Sequence, residues 1–368
     1  MTLILTNEEI ARLLPMPNCL ARLEQTYLAL GRREAANRPR SDIYAPSDEP
    51  TRRYIFKTMD AVLPFAGVAA LRLNSDVILW EKSGAGVRKD KQPVAPGGKW
   101  VGLILLFSTR TGEPLAIMPD GVIQQLRVGA TNGVAAKLMA PPDAAVYALL
   151  GAGEQAATQA AAMVAVRPLR EIRVYSPTRE RRERFAAAMS ERLGLPVRAV
   201  ASAEEAVRGA DIVGAATNSI RPVLEAEWVA PHAHVSTIRT PEAPPPLLER
   251  CRLIVVHTRT WAPANYIVGR GEEPVYAHDP REALGDEHGT TADALESQSR
   301  FLSRQPDLGE LAAGEVALPP PGSLTCFVNT MGLGVQFAAL GALAHERALE
   351  QGIGREIPTD WLLETVHP

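Results

Sequence analysis

Short apolar runs alternate with amphipathic stretches between residues 144 and 260, and this pattern predicts a parallel α/β sheet. The runs with the length of buried strands are Val146–Leu150, Glu171–Tyr175, Val197–Val200, Ile212–Ala216, His234–Ile238 and Leu253–Val256. Helical patterns lie between several of them, as at Gln155–Val166 and Arg179–Leu193. Because strands that alternate with helices pair in parallel through right-handed crossovers, we predict a doubly wound, Rossmann-type sheet here.

The two ends of the chain follow a different pattern. Near the N-terminus, Leu20, Leu23 and Tyr27 repeat at helical spacing, and Thr6 is suited to cap an earlier helix. Strands are predicted at Tyr54–Phe56, Val68–Leu73, Val101–Ser108 and Pro114–Met118, and helices at Gly121–Ala140 and Gly332–Gln351. The last helix is apolar and is expected to pack back on the first part of the chain. We therefore predict an α+β domain from residues 1–130 with 322–368, and a Rossmann domain from residues 131–321.

Composition and charge exclude several classes of protein. The chain has 368 residues, 46% hydrophobic and 22% charged, which is enough for two globular domains. The net charge of −3 gives no field that favours nucleic acid or an anionic membrane, and no apolar run reaches the ~18 residues of a membrane span. The three cysteines are far apart, so neither a disulfide framework nor a metal site is predicted. The sequence opens without a signal-peptide pattern, so a cytoplasmic location is expected.

A glycine-rich turn follows the first strand of the predicted parallel sheet. Its residues are Gly151, Ala152, Gly153, Glu154, Gln155 and Ala156, which match the pattern G-x-G-x-x-A between a strand and a helix. The glycines of such a turn let the backbone approach a pyrophosphate, and the helix N-terminus offers free N–H groups and a positive dipole end. We predict that residues 151–155 bind a nicotinamide dinucleotide; the alternative is a strand-helix turn without a ligand.

The end of the second parallel strand bears on the choice of cofactor. An NAD site usually has Asp or Glu there, whereas Tyr175 is followed by Ser176, Pro177, Thr178 and Arg179. The hydroxyls of Ser176 and Thr178 and the guanidinium of Arg179 are suited to a 2′-phosphate. NADP(H) is therefore predicted in preference to NAD(H). The alternative is that these arginines only decorate the exposed start of a helix.

Four segments together resemble one known family. They are residues 121–131 with Arg127, the turn at 151–156, residues 210–217 and the C-terminal helix at 332–354. Each is similar to the corresponding segment of the ornithine cyclodeaminase/mu-crystallin family, and the resemblance extends over nearly the full chain. Residues 69–76 and 98–102 look most like a branch of that family named after tyramine oxidase.

The resemblance implies a homodimer built by the first domain and a substrate pocket between the domains, facing the nicotinamide. It also adds Thr131, Thr217 and Ile238 to the cofactor-binding residues. Members of the family act on C–N bonds of amino and imino acids, deaminate ornithine, or bind NADPH as regulatory proteins. We predict an NAD(P)H-dependent imine reductase or amino-acid dehydrogenase. A non-catalytic NADPH-binding protein and an ornithine cyclodeaminase-type lyase are the alternatives.

Three basic residues fit substrate-binding positions of the family. Arg127 corresponds to the arginine that holds a substrate carboxylate, which suits its bidentate fork. Arg40 corresponds to a second carboxylate-binding arginine. Arg72 stands where the family usually has a lysine, so it keeps the charge but is a poor proton donor. Together they predict a substrate that bears a carboxylate.

The catalytic acids of the family are not matched in this sequence. Lys57 stands where cyclodeaminases carry a glutamate, Pro241 where they carry an aspartate, and Phe337 replaces a further acid. We predict Lys57 or Glu242 as the proton donor, with Arg72 as a further candidate catalytic residue. Because cyclodeamination needs a general base, this basic pocket indicates an anionic substrate with one or more carboxylates instead.

Overall fold

The computed structural model describes residues 1–49, 51–83, 86–219, 222–239, 242–260, 264–269, 271–273 and 298–366. Two sheets organise this part of the chain, one with eleven strands that pair mainly antiparallel and one with seven parallel strands. The predicted α/β class, a Rossmann-type sheet beside an α+β part, is confirmed.

The larger sheet comes mostly from the N-terminal part of the chain. Its strands are β1 (Thr2–Ile4), β2 (Ala36–Asn37), β3 (Ser41–Pro46), β4 (Arg52–Leu63), β5 (Val68–Ser83), β6 (Gly86–Gln92), β7 (Val101–Ser108), β8 (Pro114–Pro119), β15 (Ala264–Ile267), β16 (Gly271–Glu273) and β18 (Arg355–Ile357). The main path runs β16-β15-β3-β4-β5-β7-β8-β1-β18, with β2 on β4 and β6 on β5.

The register of β4 against β5 decides which side chains meet at the site. Lys57 lies opposite Asn74, and Met59 lies opposite Arg72. Since side chains alternate across a strand, these four residues share one face of the sheet. The same face is therefore polar and basic at this point.

The smaller sheet contains β9 (Val146–Leu150), β10 (Glu171–Tyr175), β11 (Val197–Ala199), β12 (Ile212–Ala215), β13 (His234–Thr237), β14 (Leu253–Val256) and β17 (Thr325–Val328). Their order is β11-β10-β9-β12-β13-β17-β14, and every pair is parallel. The chain winds outward on both sides of β9, so the strand order reverses between β9 and β12. Ligands bind at the carboxyl ends of strands at such a reversal.

Helices cover both sheets. They are α1 (Asn7–Leu13), α2 (Met16–Gly31), α3 (Gly121–Met139), α4 (Glu154–Val166), α5 (Arg179–Leu193), α6 (Ala203–Val207), α7 (Pro245–Arg250), α8 (Leu308–Ala312) and α9 (Gly334–Gln351), with 3₁₀ turns at Pro64–Ala66, Ala226–Trp228 and Thr359–Leu362. Residues 298–302 are also helical. None of the helices in these ranges unites the length and the apolar character that crossing a bilayer requires.

The largest apolar core lies between the eleven-stranded sheet and helices α2, α3 and α9. Leu23, Ile104 and Leu340 are among its fully buried members. Burial of a side chain of this size stabilises the fold by about 1.5–3 kcal/mol. The core therefore fixes α3 and α9, which carry Arg127 and Gln336, against the sheet.

Two segments pair with a different sheet from the one that the predicted domain boundaries assign to them. Thr325–Val328 lies between β13 and β14, because this fully buried apolar run completes the parallel sheet. Ala264–Ile267 instead pairs in parallel with β3. The division into two domains itself stays a prediction.

Candidate active site

The glycine turn forms one wall of a groove of about 460 Å³ at the carboxyl ends of the parallel strands. Gly151 has φ of +122°, and a Cβ there would lie 2.3 Å from the carbonyl oxygen of Ala216. Gly153 is the N-cap of α4 and offers no side-chain cap. The first-turn amides of α4 are therefore left for a ligand, and residues 151–155 all line the groove.

The second wall of the groove lies after β10, and only part of the predicted set reaches it. Ser176 lines the groove, whereas Thr178 and Arg179 do not. Arg179 is 73% exposed and donates to Glu183 at 2.8 Å. Arg181, which sequence reasoning did not select, lines the groove and donates to the carbonyl of Ala152 at 3.3 Å. Residues of a helix differ in direction by about 100° per step, so only the docked orientation of α5 decides which arginine faces the groove.

The third wall of the groove contains Thr217 and Ile238, both of which were predicted to bind the cofactor. Glu242 lies behind them and is fully buried. Its carboxylate accepts from the Thr217 N–H and hydroxyl at 2.7 and 2.8 Å, and from the N–H groups of Ile238 and Arg239 at 2.9 and 3.0 Å. Glu242 therefore ties two strand ends together, and the structure does not place it where a proton donor would meet substrate. Pro241, its neighbour in the sequence, lies outside the described residues.

A second cavity of about 320 Å³ adjoins the groove. Gln155 and Ile238 line both. The lining residues are Arg40, Lys57, Met59, Arg72, Asn74, Gln124, Arg127, Val128, Gln155, Ile238, Asn329, Thr330, Met331 and Gly332. The structure thus brings together all four predicted basic residues, and no carboxylate of the described residues lines this cavity.

Three of the four cations have a buried aspartate behind them. The Nε of Arg40 donates to Asp42 Oδ1 at 2.7 Å, and its Nη2 pairs with Oδ2. Lys57 Nζ lies 2.8 Å from Asp76 Oδ2. Each pair joins a residue of the cavity wall to one that does not line the cavity.

The third pair joins Arg72 to Asp120. Nε and Nη2 of Arg72 both lie 2.7 Å from Asp120 Oδ2, and Asn74 donates to the same oxygen at 3.1 Å. Asp120 directly precedes α3, so this pair anchors the start of the helix that carries Arg127 to β5. No local pattern indicated this partner, because 48 residues separate the two.

Arg127 has no carboxylate partner among the described residues. Its Nη1 donates to Gln336 Oε1 at 3.1 Å, its Nε has no hydrogen-bond partner, and only 7% of the residue is exposed. Its Cζ lies 5.6 Å from the centre of the Phe337 ring, and a Cβ added at Gly332 would lie 3.0 Å from its Nη1. Burial, together with the charge of Arg72, lowers the pKa of Arg127 to about 9, so Arg127 stays charged at neutral pH.

A buried hydrogen-bonded chain fixes the orientation of Gln336. Burial lowers the pKa of His257 to about 3, so its ring is neutral at physiological pH. Because Nδ1 lies against the Met331 carbonyl oxygen and must donate to it, Nε2 accepts from the Tyr27 hydroxyl at 2.8 Å. Gln336 Nε2 then donates to Tyr27 and to Thr131, at 3.0 and 2.6 Å. The amide oxygen must therefore face Arg127. Thr131, predicted to bind cofactor, belongs to this chain and lines neither cavity.

Comparison with known proteins gives the family. The model of the ornithine cyclodeaminase/mu-crystallin family matches residues 89–243. A Delta(1)-pyrroline-2-carboxylate reductase of Bacillus cereus is 30% identical over 257 residues, which cover 70% of this chain and 74% of that protein. The chain belongs to the ornithine cyclodeaminase/mu-crystallin family. The predicted resemblance to this family is thereby confirmed, while its tyramine oxidase branch stays a prediction.

Two further comparisons give shorter or more distant matches. Ketimine reductase mu-crystallin of Mus musculus is 36% identical over 135 residues, covering 37% of this chain and 42% of that protein. The solved structure of Thermococcus litoralis Delta(1)-pyrroline-2-carboxylate reductase, in complex with NADH and L-proline, superposes with a TM-score of 0.73. It is 24% identical and covers 97% of this chain and all of that chain. At this identity the superposition establishes the shared fold alone.

The residues that sequence reasoning missed are the partners of the basic residues. Asp42, Asp76, Asp120 and Gln336 decide which cation keeps a free charge, yet none lies in a recognisable motif. The strands predicted from the sequence included neither Asp42 nor Asp76, so alternation along a strand could not place them beside the basic residues.

Proposed function

We propose that this protein is an NADP(H)-dependent oxidoreductase that reduces the C=N bond of an imino acid to an amine. The observation that carries the proposal is Arg127, a buried guanidinium in the wall of the second cavity that has no carboxylate partner among the described residues. A guanidinium in that state is strongly stabilised by a ligand carboxylate. Two relatives are named pyrroline-2-carboxylate reductase and ketimine reductase, and these names describe reduction of imines.

The groove has the features a dinucleotide needs. Gly151 has no Cβ to keep a ligand from the backbone, and the first turn of α4 has no side-chain cap, so both suit a pyrophosphate. Gln155 and Ile238 line the groove and also the basic cavity beside it. When bound, the reduced cofactor supplies the hydride that goes to the imine carbon. Gln155 and Ile238 therefore line both the groove that would hold the dinucleotide and the cavity whose cations would orient the substrate.

The basic residues divide the remaining work. Arg127 holds the substrate carboxylate, which orients the adjacent imine carbon. Lys57 lies in the same cavity, and burial lowers the pKa of its ammonium although Asp76 opposes the shift. A lysine with a lowered pKa is a stronger acid than an ordinary lysine, so Lys57 is suited to donate a proton to the imine nitrogen. Solvent then restores the proton of Lys57. Arg72 is held by Asp120 and orients rather than donates.

The same cavity argues against ammonia release. A cyclodeaminase needs a base beside the amine, and among the described lining residues no carboxylate is present. Reduction needs only a hydride, a proton and an oriented carboxylate. The groove, Lys57 and Arg127 are the residues and site that we propose for these three roles.

The proposal is tested by following NADPH oxidation with a panel of cyclic and acyclic imino acids. Turnover is expected, with Lys57→Met lowering kcat by about 10²–10⁴ while KM changes little. NADPH binding without turnover on any substrate would support the regulatory alternative and overturn the reductase. Ammonia released from ornithine without net NADPH change would revive the lyase.

The preference for NADP(H) rests on Ser176 and Arg181. No acid follows β10, and Arg181 lines the groove without a carboxylate within ion-pair distance among the described residues. Arg181→Ala is expected to weaken NADPH binding by about 10-fold or more and to leave NADH binding within about twofold, since a charged hydrogen bond is worth about 1.5–3 kcal/mol. Fluorescence titration of both cofactors measures this.

Arg179→Ala is the matched control, because Arg179 is exposed, paired with Glu183 and outside the groove. It should leave both affinities unchanged. Equal losses for NADPH and NADH in the Arg181 variant, or tighter NADH than NADPH binding in the wild type, would contradict the assignment.

We also propose a homodimer through the outer face of the larger sheet. Leu103, Leu105 and Phe107 alternate with buried residues along β7 and are themselves half-buried, which leaves a row of apolar side chains partly accessible to solvent. Such faces favour association with another surface. Light scattering is expected to give about twice the 39.7 kDa chain mass; a monomer at micromolar concentration would refute it.

A further inference from the structure

We propose that the cavity accepts a substrate with one carboxylate and discriminates against a second, because Arg127 is the one lining cation among the described residues that forms no ion pair with an aspartate. This inference rests on the proposed imine reduction and narrows its substrate class. The four basic residues alone indicated a substrate that bears one or more carboxylates. The aspartates that pair with them distinguish between one carboxylate and two.

The charge balance of the wall is the first step. Among the described residues, four cations line the cavity, and Asp42, Asp76 and Asp120 each lie within hydrogen-bond distance of one of them. These aspartates are 0, 3 and 7% exposed, so water screens the pairs little. Four positive charges against three negative ones leave one, which matches a single carboxylate.

The geometry of the pairs points the same way. Arg40 directs Nε and Nη2 at Asp42, and Arg72 directs Nε and Nη2 at Asp120, so a carboxylate already compensates the charge of each at this edge of its fork. Behind Arg127 stands the neutral amide of Gln336, with its orientation fixed by Tyr27 and Thr131. The charge of Arg127 therefore remains available to a ligand.

One further lysine bears on this balance. Lys91 Nζ lies 2.6 Å from Asp76 Oδ1, which gives Asp76 two ammonium partners. Lys91 does not line the cavity, and its side chain is 38% exposed. Solvent thus screens its charge, and it adds little to the field at the substrate.

A second carboxylate would be desolvated in this cavity beside aspartates and without a free cation. Burial of an uncompensated charge is strongly unfavourable, and nearby like charges add to the penalty. We expect kcat/KM for a dicarboxylate to be at least about 100-fold below that of its monocarboxylate counterpart.

The test compares matched substrates on the wild-type enzyme with NADPH. 1-Piperideine-2-carboxylate and 1-piperideine-2,6-dicarboxylate share one ring and differ by one carboxylate; 2-oxobutanoate and oxaloacetate, each with ammonia, form the acyclic pair. Turnover that favours the monocarboxylate in each active pair supports the inference. A dicarboxylate that reacts as well as its counterpart overturns the inference and leaves imine reduction intact, whereas no turnover in either pair overturns both.

Asp42→Asn gives a gain-of-function test. The amide keeps the size of the side chain but leaves the Arg40 charge uncompensated, so the monocarboxylate preference should fall by about 10-fold or more. Glu24→Gln is the matched control, because it removes the partner of Lys137 on the surface, and its preference should equal that of the wild type. An unchanged preference in a folded Asp42→Asn enzyme contradicts the inference, and the wild-type comparison decides the matter if this variant does not fold.

Discussion

Replacing Arg127 with methionine is expected to raise KM for the imino acid by about 100-fold or more, with a loss in kcat as well. The methionine keeps the length of the side chain and its contact with Phe337, but removes the cation that holds the carboxylate. Two charge-assisted hydrogen bonds of about 1.5–3 kcal/mol each account for a loss of this size. Steady-state kinetics with NADPH measure it.

The same substitution makes an unusual prediction for stability. Removing one partner of a buried ion pair normally destabilises a protein, but Arg127 has no anionic partner among the described residues. The variant should therefore unfold at the same temperature as the wild type or higher. Lys137→Met, at the exposed end of the same helix, should leave KM unchanged. A KM within about threefold of wild type for Arg127→Met would remove the main support for the proposed function.

Replacing Gly151 with alanine is expected to weaken NADPH binding by at least about 100-fold. The new Cβ would lie 2.3 Å from the Ala216 carbonyl oxygen, and φ of +122° falls in a region that side chains avoid. The turn must move to relieve the contact, and any movement shifts the amides that receive the pyrophosphate. Fluorescence titration with NADPH gives the affinity.

Gly194→Ala separates this effect from the general cost of alanine at positive φ. Gly194 ends α5 at φ of +69°, and a Cβ there would meet nothing within 4 Å. Both variants should lose roughly 1–2 kcal/mol of stability from the backbone conformation, but only Gly151→Ala should lose cofactor affinity. Equal NADPH affinity in the two variants would mean that the turn is not the pyrophosphate site.

The two arginines of α5 illustrate where sequence reasoning stopped. The absence of an acid after β10 could be read directly, and it directed attention to Arg179. The structure instead turns Arg181 to the groove and pairs Arg179 with Glu183. A helix rich in arginine carries several equivalent candidates, and only its packed orientation selects one.

Glu242 shows a different limit. Its place beside the family's missing aspartate made it a candidate donor, yet four hydrogen bonds bind its carboxylate behind Thr217 and Ile238. A buried carboxylate must find donors, and backbone N–H groups at nearby strand ends supply them. Distance along the chain could not distinguish a residue in the cavity from one behind its wall.

The sequence by itself determined the parallel sheet and the glycine turn after β9, because both depend on local periodicity and on the need for glycine at one backbone position. The set of four basic residues came from the resemblance of the sequence to its family. Only the tertiary structure decided which cation stays uncompensated. The pairs of Arg72 with Asp120 and of Arg127 with Gln336 span 48 and 209 residues, so the free charge emerges only when the sheet, α3 and α9 pack together.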